Sequence, residues 1–134
     1  MPEVSSARSF DGSMTTTHAN SPREAIARLE TLVLMSGLDL PVRAIREQIA
    51  GSVNIIVQQS RLSDGSRKVT AISEVVGIER DTSEIELRPI FQFVRTGTGP
   101  KGKVIGEFRA TGYLPTFLND FIVMGLVNRG ESYL

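Results

Sequence analysis

Thr15-Thr16-Thr17-His18-Ala19-Asn20-Ser21-Pro22-Arg23-Glu24-Ala25 sets the fold class. The β-branched threonines favour an extended backbone, so Met14–Thr17 is predicted as a short strand that ends at the only histidine, His18. Ser21 suits a helix cap, Pro22 the first helical position, and Glu24 completes a capping box three residues after Ser21. Ala25, Ile26, Leu29, Leu32 and Val33 then recur at helical spacing, with Arg23, Arg28 and Glu30 on other faces and Gly37 as the stop. A strand feeding a capped helix is an α/β beginning. A histidine at that junction sits where open α/β sheets bind ligands; the structural alternative is a side chain that bonds a nearby carbonyl.

Outward from this stretch, a second helix is expected after Pro41 as far as about Ala50, with Val42, Ile45 and Ile49 inward. Val53–Val57 and Lys68–Val76 are strand-like and flank the turn Ser63-Asp64-Gly65-Ser66. Ile85–Val94 is a further strand in which Pro89 predicts an edge or a bulge, and Val104–Arg109 is another. Pro115 to about Val127 reads as a helix whose face of Phe117, Leu118, Phe121, Ile122 and Leu126 is widened by Val123 and Met124, so it is expected to be buried or to dock on a partner. The predicted order is strand, two helices, four mostly antiparallel strands, helix. Residues 1–10, with Phe10 their one large apolar side chain, form an irregular lead. A lone front strand lacks the neighbours a parallel strand needs, which suggests a chain cut from something larger, with exposed edges expected to promote aggregation or oligomerisation.

Composition narrows the function. The chain has 134 residues, 40% of them hydrophobic, enough for one domain with a core. Fifteen basic residues balance fifteen acidic ones, so no global field draws it to nucleic acid or to an anionic membrane. The absence of cysteine excludes disulfides, thiolate nucleophiles and iron–sulfur clusters, and a single histidine excludes a histidine-rich metal site. No apolar run approaches the roughly twenty residues of a membrane span, and the first residues carry no secretory apolar core.

Gly97-Thr98-Gly99-Pro100-Lys101-Gly102-Lys103 has the spacing of a phosphate-binding loop as far as its lysine. A working loop places Ser or Thr next and then opens a helix; here Val104 begins a strand-like run, and Pro100 removes a backbone donor. The segment is predicted as a turn between strands, and a small free-standing NTPase built on it is the least favoured reading.

The run Asp11-Gly12-Ser13, Thr16-Thr17-His18-Ala19-Asn20-Ser21-Pro22-Arg23 resembles the histidine box of the type II/type IV secretion ATPase superfamily, specifically the CpaF branch of tight-adherence (Flp) pilus-assembly ATPases. The similarity continues through Ala27–Leu32, Leu40-Pro41, Ala44–Ala50, Arg61–Arg67, Ile72–Val75, Ile90–Phe93, Gly106–Phe108 and Ala110–Pro115, about nine-tenths of the chain. Several blocks in this order are far more specific than one glycine loop. Where the family has glycine and histidine before the Asp-Gly-Ser, this chain has Ser9 and Phe10, and residues 1–10 match nothing in the family.

The resemblance implies that residues 11–134 are the C-terminal portion of a RecA-like P-loop NTPase motor domain, from the histidine box onward. It implies a cytoplasmic hexameric ring, peripheral to the inner membrane, that uses ATP and Mg2+ and drives pilus assembly or secretion through inner-membrane platform proteins. By resemblance His18 is the catalytic phosphate sensor, with Thr17, Asn20 and Arg28 as nucleotide-side candidates and no metal ligand. The family's lysine loop and acidic boxes lie upstream of the histidine box, so this chain alone is expected to hold no nucleotide or magnesium and to be inactive. The rival reading is a non-catalytic module that docks on a full-length secretion ATPase.

Overall fold

A computed structural model describes residues 12–127; the irregular lead 1–10, with Phe10, and Asp11 lie outside the described residues. The helix signalled behind Ser21 forms as α1, Pro22–Met35. Its stop is a turn at Ser36 and Gly37, where Gly37 takes φ +84°, a conformation glycine adopts without the Cβ clash of other residues. The second helix, α2, spans Val42–Ser52 directly after Pro41, again as expected. Ile45 and Ile49 are buried one turn apart, but Val42 is 47% exposed, a correction to its inward placement. It lies in the first turn, ahead of the point where the helix meets the sheet.

Four strands follow as an antiparallel meander, β1 (Ile55–Arg61), β2 (Arg67–Ile78), β3 (Ile85–Thr98) and β4 (Val104–Ala110), hydrogen-bonded in the order β1-β2-β3-β4. Short connections between sequence neighbours make this the simplest order available. Pro89 sits opposite Ser73 at a register shift on the central strand β3, so its missing donor falls at a bulge and not at an edge. Gly97–Lys103 is the connection anticipated: Gly97 and Thr98 end β3, Pro100–Gly102 make a single 3₁₀ turn, and Val104 opens β4.

Both long helices lie against one face of the sheet. Ile26, Ile45, Ile49, Val75 and Ile85 form the buried core, with Leu29, Val33, Leu40, Val53, Ile56 and Leu87 half-buried around it. Ile45 and Ile85 are each only 1% exposed; side chains buried to that degree stabilise a fold by about 1.5–3 kcal/mol apiece. Polar ties fix the helices in place. Arg46 pairs with Glu30 at 3.0 Å, joining α2 to α1, and its guanidinium also donates to the Ser83 carbonyl at 2.9 Å. Arg23 on α1 donates to the Ile85 carbonyl at 2.6 Å.

Glu74 follows Ser73 and precedes Val75 in β2, so it points to the opposite face, where it is 4% exposed. Its carboxylate accepts hydrogen bonds from the Tyr113 hydroxyl at 2.7 Å, the Thr116 amide at 3.0 Å and the Thr116 hydroxyl. Burial works to raise the Glu74 pKa, but the Thr116 and Tyr113 donors outweigh it and hold the group below the ordinary carboxylate range. The chain after β4 is thereby folded back across this face, where the Phe91 and Phe108 rings stack at 5.5 Å.

Two further expectations are corrected. Residues 12–19 are irregular and not a strand: Met14–Thr17 is exposed and joins no ladder of the described sheet. Threonine propensity alone does not make a strand without partners for its backbone groups. The last helix, α3, covers only Leu118–Val123. Pro115 is spent in a turn with Leu118, and Gly125 at φ +75° ends the helix, with the Leu126 and Gly125 amides bonding back to Phe121 and Ile122. Its apolar face is not buried among the described residues: Val123 is 86%, Met124 67% and Leu126 61% exposed.

At the β1–β2 hairpin, the Asp64 carboxylate accepts from the hydroxyl and amide of Ser66, at 2.5 and 2.9 Å, and from the Val104 amide at 2.8 Å. The Ser66 hydroxyl, then the Val104 and Ser66 amides, lower its pKa from 3.8 to about 2. A carboxylate depressed on folding stabilises fully above its unfolded pKa, and that contribution is lost as pH falls from 3.8 through about 2. The Val104 amide is therefore expected to lose hydrogen-exchange protection in that window, and Asp64→Asn to abolish the dependence; protection that ignores pH there contradicts the tie.

Gly106 on β4 has no room for a side chain against β3. A Cβ there would run into the Phe93 ring and stand 2.6 Å from the Val94 carbonyl oxygen. Gly106→Ala is expected to destabilise by about 1–3 kcal/mol, read as a lower urea midpoint; an unchanged midpoint would mean that the strands do not approach this closely.

Candidate functional site

The N-terminus of α1 is built as its sequence demands. Ser21 is extended, at φ −156° and ψ 162°, and its hydroxyl accepts from the Glu24 amide at 3.1 Å. The reciprocal half of the capping box is displaced by one residue: Glu24 Oε2 accepts from the backbone amide of Asn20, at 3.1 Å, and not from that of Ser21. Glu24 Oε1 meets Arg28 Nε at 3.4 Å one turn along the helix. One carboxylate thus ties the backbone of Asn20 to the guanidinium of Arg28 across the first turn.

His18 stands immediately before this cap. It is exposed, and its ring makes no hydrogen bond to the described residues. The backbone around it is held from the sheet: the Gln58 side-chain amide, on β1 and only 8% exposed, donates to the Ala19 carbonyl at 2.9 Å and to the Gln59 carbonyl at 3.2 Å. The carbonyl after the histidine is fixed while the imidazole faces solvent.

An open depression of about 450 Å³ is lined by Thr17, Glu24, Ala27, Arg28, Thr31 and Leu32. The structure therefore brings Thr17 and Arg28 together, and leaves His18 and Asn20 outside the lining, although all four belong to one short stretch. Thr31 is turned inward to its own helix, bonding the Ala27 carbonyl at 3.0 Å. The depression offers a guanidinium half-committed to Glu24 and the threonine hydroxyl of Thr17. That is a site for weak contact with an anionic oxygen, with no neutral base placed for proton abstraction.

Arg23, the other arginine singled out on α1, is a structural tie to the Ile85 carbonyl. Arg61 and Arg67 flank the hairpin and face each other in the β1–β2 register. Gly97–Lys103 presents no helix N-terminus to a phosphate, because its lysine leads into β4. Among the described residues no group of three or more His, Asp or Glu side chains converges as metal ligands do.

Gln58 and Glu74 escaped sequence reasoning. Gln58 had a readable signal, since strand alternation places it on the same face as Ile56, toward the helices. Glu74 had none, because its partners lie 39 and 42 residues away.

Gln58→Leu leaves the Ala19 carbonyl without its donor, and a loss of about 1–3 kcal/mol is expected. Ser21→Ala removes the cap alone, and about 1 kcal/mol is expected. Urea midpoints of the two variants check both values, and a neutral Gln58→Leu would mean that β1 does not hold the histidine segment.

Among the described residues no helix is long and apolar enough to cross a membrane. No protein-family model matches the chain, and no curated protein is significantly similar to it.

Proposed function

We propose that this chain supplies the histidine-box segment, with the helical and sheet layers behind it, of a CpaF-like pilus-assembly ATPase of the type II/type IV secretion superfamily. The observation that carries the reading is the ordered run from Asp11-Gly12-Ser13 through Thr16-Thr17-His18-Ala19-Asn20-Ser21-Pro22-Arg23 to Ala110–Pro115. Support comes from a solvent-facing His18 on a backbone fixed by Gln58 and by the α1 cap. In this reading the chain is the C-terminal part of a RecA-like motor domain. Its setting is a cytoplasmic ring of six copies at the inner membrane, working on platform proteins there.

The role assigned to His18 is a phosphate contact. An imidazole N–H donates to a phosphoryl oxygen, and that bond strengthens as charge develops during transfer. Thr17 and Arg28 line a depression that does not include His18, and would supply a hydroxyl and a guanidinium to the phosphate from there, whereas Asn20 acts through its backbone amide on Glu24. Nucleotide and magnesium are held by elements outside this chain.

The rival reading, a non-catalytic module that docks on a full-length secretion ATPase, is favoured by one observation: Val123, Met124 and Leu126 leave an apolar ridge exposed at α3. Co-migration with such an ATPase, with loss of its turnover, selects that reading.

Two measurements test the proposal. The chain alone is expected to show no magnesium-dependent ATP hydrolysis; turnover abolished by Lys103→Ala would overturn this and make Gly97–Lys103 a working loop. Joined to the N-terminal portion of a family ATPase, the chain is expected to complete an active motor in which His18→Ala lowers the rate by roughly ten- to a thousandfold, with nucleotide affinity and melting temperature nearly unchanged. Normal turnover with a lowered melting temperature would reduce His18 to a cap residue.

A further inference from the structure

The chain carries equal numbers of acidic and basic residues, yet one end of the sheet is strongly cationic. The β1–β2 hairpin and the β3–β4 connection are brought side by side there by the bond from the Val104 amide to Asp64, at 2.8 Å, and by Arg95 reaching Ser63 at 3.4 Å. Together they carry Arg61, Arg67, Lys68, Arg95, Lys101 and Lys103. The one carboxylate among them, Asp64, is taken up by Ser66 and Val104. None of the six cations makes an ion pair with the described residues, and five of them are exposed, Lys68 being half-buried.

Arg61 and Arg67 are moreover direct register partners across β1 and β2. Like charges set opposite each other oppose strand pairing, and an external anion between them would relieve that repulsion.

We propose that this end of the sheet docks on an anionic phospholipid surface. Lys101 and Lys103 lie in the β3–β4 connection and Arg61, Arg67, Lys68 and Arg95 on the strand ends beside the two connections, and neither of the two depressions lined by α1 residues reaches them. Cations without a pocket recognise an array of phosphates by charge density, not by shape. Residues 59–68 and 95–104 contain no aromatic side chain, so there is no platform on which nucleobases would stack. Because the chain is neutral overall, the attraction is local and decays within a Debye length, about 10 Å at 0.1 M salt. The proposal does not rest on the ATPase reading, and either stands if the other fails.

The test is co-sedimentation of the full chain with vesicles of phosphatidylglycerol and phosphatidylcholine, against phosphatidylcholine alone, at low and high salt. Binding is expected only to the anionic vesicles and only at low salt. Replacing Arg61, Lys101 and Lys103 together by Gln is expected to weaken it by roughly thirty- to a hundredfold. Replacing Arg43, Arg80 and Arg109 by Gln, the same change in net charge elsewhere, is expected to change it by less than about threefold. Thermal melts of both triple variants establish that each is folded. No binding to anionic vesicles, binding indifferent to salt, or equal loss in the two variants would overturn the proposal. So would displacement from vesicles by single-stranded DNA at equal phosphate, which assigns the surface to nucleic acid.

Discussion

The meeting of Ile26, Ile45 and Ile49 with Val75 and Ile85 is the contact on which the rest depends. A four-stranded sheet without a covering layer leaves an apolar face in water, and a pair of short helices is marginal alone. Each layer becomes stable by removing the other's apolar surface from solvent. The positions that achieve this are few. Once β3 carries Ile85 into the core, Arg23 of α1 reaches that residue's carbonyl, and Arg46 of α2 reaches Ser83 two residues earlier. The histidine segment inherits its place from this seating, because α1 begins where that segment ends.

Around the apolar contact, single polar side chains tie down segments that have no core of their own. Gln58 holds the stretch before α1, Glu74 the stretch after β4, and Asp64 the two connections at the cationic end. Each side chain supplies partners for backbone groups that no helix or strand satisfies, and no buried side-chain nitrogen or oxygen among the described residues lacks a partner. These ties explain why irregular backbone holds a definite path at His18. The same device serves the proposed chemistry, since a phosphate contact requires a fixed backbone beneath an accessible imidazole.

Much of this was legible in the sequence for local reasons. The cap at Ser21, the stop at Gly37, the Asp64-Gly65 turn and the bulge at Pro89 each follow from the chemistry of one or two residues. The turn at Gly97–Lys103 was legible because Val104 and Pro100 contradict a phosphate loop. What failed depended on partners distant in the chain. Met14–Thr17 has strand-forming side chains but no neighbouring strand among the described residues, and Val42 has helical spacing but is exposed at the first residue of α2. The segment from Pro115 onward has helical apolar spacing, but the Pro115 turn delays the start of the helix and Gly125 at φ +75° ends it early. At the site, strand alternation marks Gln58 as inward, but its partner Ala19 lies 39 residues away and is not readable locally.

The central claim is that one shared apolar contact joins the helical layer to the sheet and so places the histidine segment. A double-mutant cycle on Ile45→Ala and Ile85→Ala measures it directly by denaturant unfolding. Each single change is expected to cost about 2–5 kcal/mol. Because both side chains line one core, the double variant is expected to lose less than the sum, with a coupling of about 1–3 kcal/mol. Losses that add to within about 0.5 kcal/mol would mean that α2 and β3 are stabilised independently, and would contradict the account.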